Sequence, residues 1–116
     1  MTAELTLYGM KGSVYTRVTE IVLSEKGLAH HREEIDPFAQ PLPKSYAAMH
    51  PFGRVPALKH GTFKLFETQA ITTYLDTAFP GASLIPSDHK ARARMVQVMS
   101  IVDAYGYWPL VRQVFV

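Results

Sequence analysis

The chain has 116 residues, no cysteine and a formal net charge of +2, with 47% hydrophobic and 19% charged residues. That length suits one domain, or one plus part of a second, and lets roughly 65% of the unfolded surface be buried around a single core. The lack of cysteine excludes disulfides, thiolate zinc sites and a cysteine nucleophile, and basic residues interleaved with acids give no nucleic-acid-binding face despite a pI near 9.

In chain order, residues 4–9 (ELTLYG) alternate apolar and polar side chains and stop at Gly9, which predicts a short strand. Residues 11–13 (KGS) form a loop. From Ser13 the pattern is helical, with Val14, Val18, Ile21 and Val22 on one apolar face, Ser13 as N-cap and Gly27 as C-cap. Residues 29–35 read as a second strand, parallel to the first after the helical crossover. Pro37, Pro41 and Pro43 break the next stretch, and a short helix over about 43–50 ends at Pro51 and Gly53. Two strands, 55–59 and 63–66, flank His60-Gly61-Thr62 as a hairpin. A helix over 67–79 gathers Ala70, Ile71, Tyr74, Leu75 and Ala78 on one face before Pro80-Gly81.

The order β-α-β, then β-β-α, predicts an α/β domain of thioredoxin-like type over 1–80, with helices on both faces of a mixed sheet. A linker over 81–87 follows. The helical pattern of 88–116 is expected to be the first helix of an all-α domain whose remainder is absent, with Pro109 kinking or interrupting it. Met95, Met99, Val102 and Tyr105 form an apolar stripe on that helix, expected to be core.

Three places carry candidate chemistry. Ser13 opens a helix just after a strand. Helix N-termini carry unpaired N–H groups and a partial positive charge, and a hydroxyl there can hold a thiolate. The same serine can simply cap the helix. Val55-Pro56 precedes a strand. A cis bond, found in about 5% of folded X–Pro cases, would turn the Val55 backbone outward to pair with an extended peptide, and a trans proline at a strand start is the alternative. Glu67-Thr68 open the third helix. They can receive the ammonium and carboxylate of an α-amino acid, or serve only as a capped helix start.

Four stretches, LYGM at 7–10 with Ser13 following, SEKGL at 24–28, HPFGRVPAL at 50–58 and LFETQAI at 65–71, resemble the N-terminal domain of glutathione transferases. The stretches resemble the plant phi class and related bacterial serine-type enzymes in particular, and the likeness runs through residues 4–86. The resemblance implies glutathione as co-substrate with no bound cofactor, and Ser13 as the hydroxyl that stabilises its thiolate. It also implies Val55 ahead of a cis Pro56 at the cysteinyl backbone, Glu67 and Thr68 at the γ-glutamyl end, and Arg54 reaching the peptide. Tyr15 and Arg17 lie near that site. The family often places a basic residue after the second strand, where this chain has Gln40, Pro41 and Leu42, so Lys44 is the candidate for the glycine carboxylate.

The reaction implied is attack by the thiolate on a small hydrophobic electrophile, with glutathione-dependent isomerisation or dehalogenation on the same half-site. The rival is a non-catalytic transferase-like module for protein assembly. A homodimer is expected, with no nucleic acid or membrane as partner. No apolar run approaches the ~20 residues needed to span a bilayer and no signal-peptide pattern opens the chain, so a cytoplasmic location is expected. The five histidines show no metal-ligand spacing and are read as surface residues, and Lys90, Arg92 and Arg94 as a solvated helix start. Phe52, between Pro51 and Gly53, suits either a partner subunit or the core.

Overall fold

The computed structural model describes residues 4–113. They fall into two compact units, one reaching to Ser83 and the other starting at Leu84.

The first unit has a four-stranded sheet in the order β2-β1-β3-β4. β1 (Leu5–Gly9) sits centrally, parallel to β2 (His31–Glu34) and antiparallel to β3 (Ala57–His60), which pairs antiparallel with β4 (Phe63–Phe66). Pro56 has no amide to add to a ladder, so β3 starts at Ala57, later than the sequence pattern suggests. The hairpin closes through two residues, with Gly61 supplying the positive φ of 62° that a primed turn needs.

Period-two alternation gives each face of the sheet its own core. Leu5, Leu7 and Leu58 face α1 (Val14–Glu25) and α3 (Thr68–Ala78), where Leu23, Ile71 and Leu75 complete a buried cluster. On the opposite face Tyr46 and Met49, in and just after the single turn of α2 (Lys44–Ala47), pack with Ala57, Tyr8 and Phe66. The thioredoxin-like arrangement read from the element order is the one formed.

Helix α1 buries a different face from the one its aliphatic residues mark. Ile21 is 53% exposed, while Thr16, Thr19 and Leu23 are buried. The threonines can face inward because their hydroxyls are satisfied. Thr19 Oγ1 donates to the Tyr15 carbonyl at 3.1 Å, and Thr16 Oγ1 accepts from the Met10 amide at 3.3 Å. The helix ends in a Schellman motif, with Leu28 N–H on the Leu23 carbonyl, Gly27 N–H on that of Ser24, and Gly27 at φ 65°. In α3, Ala70 and Ala78 are exposed and the buried stripe is Ile71, Leu75 and Asp76.

Two histidines depart from the surface expectation. His50 is only 3% exposed and lies against the Phe66 ring, with centroids 4.6 Å apart. His60 is half-buried in β3, its Nδ1 2.6 Å from the Tyr74 hydroxyl. A histidine set among aromatic rings is buried by its neighbours, which its spacing in sequence does not reveal.

In the second unit, α4 (His89–Ile101) starts at Asp88, whose carboxylate accepts from the Ala91 amide at 2.9 Å. Two π-helical stretches follow, Val102–Gly106 and Trp108–Arg112. Pro109 thus widens the helix without ending it: the Gln113 amide reaches the Trp108 carbonyl at 3.0 Å, five residues back. The Met95–Tyr105 stripe is not core. Met95 and Met99 are half-buried, and Val102 and Tyr105 are 45% and 75% exposed, because a lone helix has no facing layer within its unit. Among the described residues no helix is long and apolar enough to cross a membrane.

Candidate functional site

At one end of the sheet β1 and β4 finish and β3 begins. The register pairs Tyr8 with Ala57, and Ala57 with Phe66. That sets the β1–α1 loop, the Val55–Pro56 peptide and Glu67 side by side, although they lie far apart in the chain.

The β1–α1 loop is fixed at close quarters. A Cβ on Gly9 would lie 2.3 Å from Thr16 Cγ2, so only glycine lets the end of β1 meet the first turn of α1. Gly12, at φ 88°, turns the chain into Ser13, whose amide donates to the Met10 carbonyl at 3.0 Å. Ser13 is the N-cap, its Oγ accepting from the Thr16 amide at 3.2 Å. Capping uses a lone pair of the hydroxyl and leaves its proton to donate elsewhere, so cap and thiolate partner are compatible roles for one atom.

The peptide between Val55 and Pro56 is cis, as is that between Gln40 and Pro41. The segment ahead of it is held from α2, where the Tyr46 hydroxyl donates to the Arg54 carbonyl. Burial pushes the Tyr46 phenol up to about 12, so it stays a donor across physiological pH. Glu67 is the N-cap of α3 at φ 78° and ψ 123°, the only described non-glycine residue with a positive φ. Its side chain makes no cap, and Thr68 follows half-buried at the first helical position.

His50 lies beneath this end. Burial lowers its pKa; the Glu67 carboxylate pulls the other way and the Arg54 guanidinium adds to the lowering. Its Nδ1 accepts from the Phe52 amide at 3.2 Å, which suits a neutral ring. Glu67 and Arg54 are therefore both electrostatic neighbours of one buried imidazole. Lys44 is exposed at the start of α2, and no described ion pair holds it to the others.

Sequence reasoning missed His50 and Tyr46, whose roles rest on burial alone. It also missed an open cleft of about 430 Å³ beside Ser13, lined by Lys11, Arg17, Glu20, Arg32 and Glu34 among others. The signal available for it was the i, i+2 spacing of Arg32 and Glu34, which puts both on one face of β2. Among the described residues no group of His, Asp or Glu is arranged to hold a metal ion.

A family model described as glutathione S-transferase, N-terminal domain, matches residues 7–83. The chain belongs to the glutathione S-transferase family. A stringent starvation protein A homologue of Pasteurella multocida is 32% identical over 103 residues, 89% of this chain and 48% of that protein. Glutathione S-transferase omega-2 of Rattus norvegicus is 34% identical over 98 residues, 84% of this chain and 39% of that one. A glutathione transferase homologue from sulfitobacter, solved with bound glutathione, superposes with a TM-score of 0.78 at 34% identity, covering 88% of this chain and 50% of that one. The chain thus spans about half the length, or less, of the transferase-family proteins it matches.

Proposed function

We propose that the first unit binds glutathione and presents its thiolate to a small hydrophobic electrophile. The observation that carries this reading is the register that gathers Ser13, Val55–Pro56 and Glu67–Thr68 at one end of the sheet. It is supported by the glutathione bound in the sulfitobacter homologue.

Each group has a physical role. The Ser13 O–H donates to the thiolate at the positive end of α1, which lowers the thiol pKa. The backbone of Val55 pairs with the cysteinyl residue as a neighbouring strand would. The Glu67 carboxylate takes the γ-glutamyl ammonium, and the Thr68 hydroxyl with the amides of the α3 start takes its carboxylate. Arg54 reaches the peptide, and Lys44 is offered for the glycine carboxylate. The sulfur then attacks the electrophilic carbon, a C–S bond forms as the leaving group departs, and the thiol proton passes to solvent. The domain contributes positioning and charge stabilisation, not a covalent intermediate.

Calorimetry with glutathione tests this directly. Binding by the wild-type chain that vanishes in Glu67→Ala, and a bound thiol that titrates at higher pH in Ser13→Ala, are the expected results. A folded chain that ignores glutathione would favour the second reading, a non-catalytic module for protein assembly. Two relatives at 32% and 34% identity are named stringent starvation protein A homologues and not transferases.

A further inference from the structure

We propose that Lys11 and Arg17 seat an acidic group of the electrophile, so that the co-substrate preferred at this site is an anion such as an aryl carboxylate. The inference rests on the glutathione reading above and names its substrate class.

The strand order sets two flanks about Ser13. Val55 and Glu67 lie on the β3–β4 side of β1, and the cleft holding Lys11, Ser13, Arg17 and Arg32 lies on the β2 side. A tripeptide held on the first flank with its sulfur at Ser13 leaves the second flank open to whatever the sulfur attacks.

That cleft is lined by three cations and two carboxylates, and they are not equivalent. Arg32 is committed: its guanidinium donates to the Gly9 carbonyl at 2.9 Å and the Glu33 carbonyl at 2.8 Å. Both carboxylates lie against it, Glu34 at 3.3 Å and Glu20 at 4.0 Å. Glu34 also accepts the Lys11 amide at 2.9 Å, which ties the loop to β2 and fixes where the Lys11 side chain starts. With both acids nearer Arg32, Lys11 and Arg17 remain as exposed cations that no described ion pair engages. Arg17 stands one helical turn after Ser13 on the same side of α1, and Lys11 lies two residues before it. An anion in the cleft would meet two uncompensated donors beside the reacting sulfur, and a neutral analogue would meet the same walls without that attraction.

The test compares three ligands by calorimetry: glutathione, S-(4-carboxybenzyl)glutathione and its carboxamide, S-(4-carbamoylbenzyl)glutathione. The carboxylate conjugate is expected to bind about fivefold or more tightly than the carboxamide. In a Lys11→Gln, Arg17→Gln variant the two conjugates should bind alike, while glutathione itself binds as it does to wild type. Equal affinity of the conjugates for wild type overturns the proposal. So does binding of glutathione but of neither conjugate, because the cleft would then not open onto the sulfur. Loss of glutathione affinity in the variant also overturns it, by assigning the cations to the tripeptide's own glycine carboxylate. A wild-type chain that binds none of the three removes the glutathione reading, and the proposal with it.

Discussion

At Glu67 the backbone holds a glutamate at φ 78°, where a Cβ is crowded. Such a residue costs on the order of 1–3 kcal/mol, and it persists where surrounding structure enforces it. Here the strain lies on the residue proposed to hold the γ-glutamyl ammonium. Glycine should therefore suit this position better than alanine, by more than its ordinary advantage at an N-cap. Glu67→Gly is expected to exceed Glu67→Ala in urea stability by about 1 kcal/mol, with glutathione binding lost in both. Equal stabilities would mean that the strain is absent. The motif that marks Glu67-Thr68 is legible in the sequence; the backbone angle is not, because it is set by how β4 feeds into α3.

Lys26 and His50 are buried within the first unit. Lys26, at the end of α1, is buried with Asp76 of α3, Nζ 3.4 Å from Oδ1, and it also donates to the Asp76 and Ala82 carbonyls at 3.1 and 3.0 Å. Replacing one partner strands a buried charge, so Lys26→Met should lose about 3–5 kcal/mol in urea unfolding. Lys26→Met with Asp76→Leu should recover much of that loss; equal losses in single and double variants would deny the pairing. Below β4, the lowered His50 pKa makes stability depend on pH. The unfolded imidazole takes a proton near its ordinary 6.5, the folded one only at lower pH. Below 6.5 the unfolded chain therefore binds more protons, and stability falls as pH drops toward the folded value. The urea midpoint should fall between about pH 7.5 and about pH 5.5, and His50→Gln should flatten that slope. A slope unchanged in the variant would assign the dependence to other groups.

For the whole molecule the proposal is a homodimer. Phe52 is 71% exposed, although its ring lies edge-on to His50 and Phe66, at 6.2 and 6.1 Å. An aromatic ring braced by others yet open to solvent suits a partner's surface, with little side-chain entropy left to lose. Sedimentation should find dimers at micromolar concentration, weakened about tenfold or more by Phe52→Ser. A monomeric wild type would end this reading. Val102 and Tyr105, exposed just beyond α4, belong to a second apolar surface that their own unit leaves uncovered.

The order and type of the described elements of the first unit, the glycine that ends α1 and the motifs that name the family are all legible in the sequence. These signals are local: alternation, helical spacing and turn residues act over a few positions, and four short motifs keep their order. Tertiary structure alone decided which face of α1 is buried, that His50 and Lys26 lie inside, how Glu67 is bent, and that β2 and α1 enclose a charged cleft beside Ser13. Each depends on groups from different elements, as when Lys26 meets Asp76 across 50 positions of chain. Threonine can face the core only once its hydroxyl finds a carbonyl or is met by an amide, and lysine only once a carboxylate does. Such partners exist only after the chain has closed on itself.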